Sequence, residues 1–203
     1  MYRTREIRWF FEEKKENIEN WFNDQHLSFG TSSERIDHYL VTDNSDMNIK
    51  LREGRLEIKQ RNCGPRSRTM VDTATGYCEV WTKWSFAVED NSTLVGDIVK
   101  DRYQEWIKVA KNRLAVNLIE KDGAIQVRPI SEQVDSGCQV ELTKILIEGS
   151  IWYTFGLEWF GGDDESMVQP IIHDILNGSE LNIKQSMGYA GFLKNQIFTH
   201  AVY

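Results

Sequence analysis

The stretch NIKLREGRLEIKQR, residues Asn48 to Arg61, decides how the rest of the chain is read. Apolar Ile49 and Leu51 alternate with Lys50 and Arg52. After Glu53-Gly54, Leu56 and Ile58 alternate with Glu57, Lys59 and Arg61. A period of two on both arms of a Gly-containing turn predicts a β-hairpin. One face of it is apolar, and the other carries four cations and one carboxylate. Function turns on whether that charged face meets water or a ligand.

The same habit recurs along the chain as Glu6/Arg8, Arg35/Asp37, Glu79/Lys83 and Lys111/Arg113. Strands are predicted over Thr4–Phe11, Glu34–Val41, Tyr77–Val88, Ile107–Ile119, Ala124–Ile130, Cys138–Ile147 and Ile151–Phe160. Helices are predicted over Glu12–Asp24, over the face Val95, Ile98, Val99, Arg102 and Trp106 after an N-cap at Ser92, and over Val168–Leu176. A short one follows at Tyr189–Leu193. The acidic run Asp163-Asp164-Glu165 suits the positive end of the third helix. Asn62–Gly76, with Gly64-Pro65 and hydroxyl residues, is predicted to be a long loop. Trp9, Trp84 and Trp159 fall in apolar strand patterns and are assigned to the core. Hairpins outnumber βαβ units, which predicts one α+β domain over residues 1–203: an antiparallel barrel of about eight strands, helices outside, and a helical C-terminal region.

Composition narrows the functions. The 203 residues carry a formal net charge of −7, which argues against general nucleic-acid or membrane-surface binding. No apolar run approaches the ~20 residues of a membrane span, and the N-terminus shows no secretory pattern. Three cysteines without metal-ligand spacing fit a reducing, cytoplasmic setting. Four scattered histidines, and the lack of a P-loop, a G-x-S-x-G or a G-x-G-x-x-G, leave the charged strands as the chemical feature. A solvated sheet face is the ordinary explanation for one such strand. Six strands of this kind favour a barrel interior lined with cations, suited to a di- or triphosphate.

At these residues the chain resembles the CYTH superfamily, the triphosphate tunnel metalloenzymes, a group that includes adenylate cyclase and thiamine triphosphatase-like proteins. Lys50-Leu-Arg52 with Lys59 is similar to the family's basic strands. Arg35-Ile-Asp37-His-Tyr39 is similar to its D-x-Y strand, Lys111-Asn-Arg113 to its K-x-R strand and Gln139-Val-Glu141-Leu-Thr143 to its late E-x-E strand. Ser186–Leu193 is similar to its C-terminal segment. The resemblance implies a closed tunnel binding triphosphate with Mg or Mn. It makes Lys50, Arg52, Lys59, Lys111 and Arg113 phosphate contacts, and Arg8, Arg35, Arg61 and Lys83 join them as candidate anion ligands. Glu6 and Lys59 become the candidate catalytic pair. Glu141 is the implied metal ligand, with Glu79 and Glu158 as further carboxylates.

The chain departs from the family where the N-terminal E-x-E-x-K reads Glu6-Ile-Arg8-Trp-Phe10, and where Thr143 replaces the late second acid. These losses shift the expectation from metal-plus-phosphate toward phosphate alone, with metal-dependent phosphoanhydride hydrolysis left open. A barrel that keeps the fold as a ligand sensor or protein-interaction module is the alternative.

Overall fold

The computed structural model describes residues 2–89, 93–100, 103, 105–162 and 168–200. Among the described residues, ten strands run in chain order as β1 (Tyr2–Phe11), β2 (Glu34–Leu40), β3 (Met47–Arg52), β4 (Arg55–Arg61), β5 (Arg66–Val71), β6 (Ala74–Ala87), β7 (Trp106–Lys121), β8 (Ala124–Pro129), β9 (Gly137–Ile147) and β10 (Ser150–Phe160). Four helices accompany them: α1 (Glu16–Asp24), α2 (Thr93–Val99), α3 (Gln169–Leu176) and α4 (Tyr189–His200). Three hairpins share one turn chemistry. Glu53-Gly54, Asp122-Gly123 and Glu148-Gly149 each have positive φ at both residues, between 47° and 82°. That is the twist-matched two-residue turn for which an Asp-Gly or Glu-Gly pair is suited.

Eight strands, in the order β1-β10-β9-β7-β2-β3-β4-β6, close into an antiparallel barrel when β6 pairs back onto β1. Glu6 sits in register between Glu158 on one side and Glu79 on the other. The long strands β6 and β7 also carry β5 and β8.

Strand parity sorts the side chains. Ile7, Trp9, Phe11, Leu142, Leu157 and Trp159 point outward into a core shared with Ile18 and Phe22 of α1 and Ile172 and Ile175 of α3. Glu6, Arg8, Lys111 and Glu141 point inward, so the charged parity does not face bulk water. Further along the same inward rows lie Phe10, Val109, Ile145 and Ile147, and α4 lays Phe192 and Leu193 against them. The Phe10 and Phe192 rings stack at 4.0 Å. This apolar plug fills one end of the barrel. Toward that end the interior is a cup.

Several expectations need correction. Residues 62–76 are not one long loop: β5 and the start of β6 form a hairpin there, in which Arg66–Val71 pairs antiparallel with β6 and buries Met70. The second helix stops at Val99, and Trp106 opens β7, where it pairs with Leu40. Ser92, Arg102 and the Asp163–Glu165 run lie outside the described residues. The first helix starts at Glu16, and α4 extends well beyond Leu193. Trp9 and Trp159 are core residues, whereas Trp84 is only half-buried. Among the described residues, no helix is long and apolar enough to cross a membrane.

Candidate anion site in the barrel interior

The cup encloses a cavity of about 270 Å³, just below the ~300–1,000 Å³ typical of ligand pockets. Its charged lining divides by depth.

In the deep layer Arg8 donates from Nε to Glu6 at 2.6 Å and from Nη1 to Glu141 at 2.5 Å. Lys111 donates to the Tyr39 hydroxyl at 2.6 Å and lies 3.0 Å from Asp37. It also sits 3.8 Å from the centre of the Tyr189 ring, which α4 brings up from below. None of these five charged side chains is more than 10 % exposed. Two cations meet three carboxylates here.

Above them stands a ring of cations. Lys50, Arg52 and Lys83 converge on Glu57 at 3.0, 2.7 and 2.9 Å. Lys59 bridges Glu6 and Glu158, at 3.1 Å from each. Arg35 reaches Asp37 at 3.1 Å, and Arg113 reaches Glu141 at 3.3 Å. These six side chains keep between 15 and 25 % of their surface accessible. Six cations thus belong to a ring that contains only two carboxylates of its own, Glu57 and Glu158.

Burial and charge pull the titrations in opposite directions. Burial alone would raise Glu6, but Lys59 and Arg8 overcome it and hold the carboxyl down at about 2. Glu57 is likewise held at about 2 against its burial, by Lys50, Lys83 and Arg52. Glu141 and Asp37 are also held well below the usual carboxylate range, despite burial, by Arg8 and Arg113 and by Lys111 and Lys50 respectively. The lysines diverge. Burial brings Lys111 down to about 7 although Asp37 opposes it, and brings Lys50 down to about 8. Lys59 moves up, because Glu158 and Glu6 outweigh its burial.

Eleven of the thirteen residues singled out in the sequence line this cavity: Glu6 and Arg8 on β1, Arg35 on β2, Lys50 and Arg52 on β3, Lys59 on β4, Lys83 on β6, Lys111 and Arg113 on β7, Glu141 on β9 and Glu158 on β10. Arg61 and Glu79 have the correct parity but sit outside the lining. They pair with each other, and Arg61 also binds Asp46 and lies over the Trp81 ring. Each implied metal ligand is therefore engaged by a cation. Glu141 is held by Arg8 and Arg113, Glu158 by Lys59 and Glu79 by Arg61. Among the described residues, no three acidic, histidine or cysteine side chains converge as a cation site requires.

Sequence reasoning left Asp37, Glu57, Tyr39 and Tyr189 out of the site. Asp37 and Glu57 carried the inward parity that could have found them. Tyr189 had no strand parity to betray it, because it enters from a helix.

No family model matches the chain, and no curated protein matches it. Among solved structures it is similar to one described as "a putative adenylate cyclase" from Bacillus halodurans. The identity is 12 % and the TM-score 0.45, with 90 % of this chain and 95 % of that chain covered.

Proposed function

We propose that the barrel binds a compact polyanion, an inorganic di- or triphosphate or a small molecule bearing one, with the cation ring as its binding surface. The observation that carries this reading is the excess of cations over the two layers, eight to five carboxylates, around a small, partly enclosed cavity. Arg and Lys supply charge-assisted donors to phosphate oxygens, and Arg35, Arg52 and Arg113 can each offer two. An incoming phosphate would take over donors now directed at Glu57, so part of its binding energy goes into loosening those contacts. Membership of the CYTH superfamily belongs to the same proposal, supported by the ordered basic strand motifs.

Binding without turnover is favoured over phosphoanhydride hydrolysis. The candidate catalytic pair, Glu6 and Lys59, is bonded to itself at 3.1 Å. A carboxylate held at about 2 by Lys59 and Arg8 is a weak general base. Isothermal titration with tripolyphosphate, pyrophosphate and sulfate tests the reading. Saturable 1:1 binding that weakens from tripolyphosphate to sulfate is expected; absence of binding by all three overturns it. Phosphate release measured on the same samples, with and without Mg²⁺, decides whether binding proceeds to hydrolysis.

A further inference from the structure

Arg8 occupies a space that the fold has cleared for it. It lies in register with Gly156 on β10. A Cβ at Gly156 would stand 2.8 Å from the guanidinium carbon and from both terminal nitrogens of Arg8. Any larger residue there would displace the guanidinium. On its other side the guanidinium lies 5.1 Å from the centre of the Tyr189 ring, and Nη1 is also 3.3 Å from the Thr154 hydroxyl.

So held, the planar cation spans two carboxylates from opposite parts of the chain, Glu6 and Glu141. The remaining oxygens of those acids are also taken. Glu6 Oε2 accepts from Lys59 at 3.1 Å. Glu141 Oε2 accepts from Gln139 at 3.1 Å and lies 3.3 Å from Arg113. All four carboxylate oxygens therefore face N–H donors. A divalent ion is held by several free carboxylate oxygens, and a guanidinium stays protonated at any working pH. To enter here, a metal would have to evict a buried arginine and a partly buried lysine.

We infer that Arg8, assisted by Lys59, is a resident cation standing in for a divalent metal between Glu6 and Glu141, so that the cavity takes its polyanion metal-free. The inference rests on reading the cavity as an anion site. It adds a property that a metal-dependent tunnel does not have. Mg²⁺ in solution then acts only on the ligand, lowering its charge and weakening its attraction to the ring.

Two titrations of the wild-type protein test it. Tripolyphosphate is titrated calorimetrically in EDTA and again in excess Mg²⁺. Separately, free Mn²⁺ is followed by electron paramagnetic resonance as protein is added without phosphate. Binding in EDTA as tight as, or tighter than, binding in Mg²⁺ is expected, together with no uptake of Mn²⁺ by the wild type. Binding at least ~10-fold tighter with Mg²⁺, about 1.4 kcal/mol, overturns the inference while leaving the anion reading intact. Absence of binding in both buffers removes the anion reading instead, and with it the inference. Stoichiometric Mn²⁺ uptake that is lost in Glu141→Gln overturns the inference directly. Arg8→Gln, which keeps an amide donor in the same space, is expected to take up Mn²⁺. If that variant folds and takes up no more than wild type, Arg8 is not what excludes the metal and the inference falls. If it does not fold, the two wild-type titrations decide.

Discussion

The floor and the rim of the cavity use the same few residue types for opposite ends. On the floor, Arg8 and Lys111 meet Glu6, Asp37 and Glu141 at 2.5–3.0 Å with almost no water contact. On the rim, Arg35, Lys50, Arg52, Lys59, Lys83 and Arg113 keep part of their surface open and outnumber the acids among them. A buried charge deprived of its partner is expensive, whereas a partly solvated one can exchange partners. On the proposed function the floor is the scaffold and the rim is the binding surface. Depth separates the two roles, since composition does not.

The sharpest way to break that contrast is on the floor. Arg8→Met leaves Glu6 and Glu141 buried without their shared cation, and is expected to cost about 3–5 kcal/mol in urea unfolding. A loss below about 1 kcal/mol, the range of an exposed pair, would mean that the floor behaves like the rim.

Acid comes next. Glu6 and Glu57 ionise at about 2 in the fold against 4.5 in the unfolded chain. Between those values the unfolded chain binds more protons, so stability is present above pH 4.5 and is lost as pH falls toward 2. Urea midpoints measured at pH 6, 4 and 3 should decline in that order. A flat profile would remove the ion-pair account of both layers.

On the alkaline side two lysines act with the same sign. Lys111 and Lys50 sit at about 7 and about 8 in the fold against 10.5 unfolded. The unfolded chain again binds more protons across that window, so these groups make stability rise with pH from about 7 toward 10.5. Lys111→Met should flatten the rise between pH 7 and 9.5, and an unchanged slope would assign it elsewhere. The smallest stability effect is expected on the rim. Arg52→Ala should shift unfolding by no more than about 1 kcal/mol and weaken tripolyphosphate roughly tenfold, the value of one charged hydrogen bond.

Much of this architecture was legible in the chain. The alternation in Asn48–Arg61 and the acidic-Gly turns specify hairpins locally, and the repeated charged parity specifies a shared face. Other features depend on distant partners. That Arg8 belongs to the floor follows from Gly156 lying beside it in register, and a lone strand does not reveal that register. Arg61 and Glu79 have inward parity, yet they close on each other outside the cavity lining; parity gives direction but not height. β5 was hidden because Gly64-Pro65 and its Arg, Ser and Thr residues mimic a loop. Trp106 was drawn into a helix because its spacing from Val99 fits a helical face as well as a strand start.

The division between floor and rim is tested most directly by titrating tripolyphosphate into wild type and into the Arg52→Ala/Lys83→Ala double variant, with urea unfolding of both proteins alongside. The two cations share Glu57, which keeps Lys50 after both are removed. The expected result is 1:1 binding by wild type, weakening by roughly 100-fold in the variant, with an unfolding midpoint that falls less than that of Arg8→Met because Glu57 keeps Lys50. Equal affinity in the two proteins, or a variant that unfolds as readily as Arg8→Met, would contradict it.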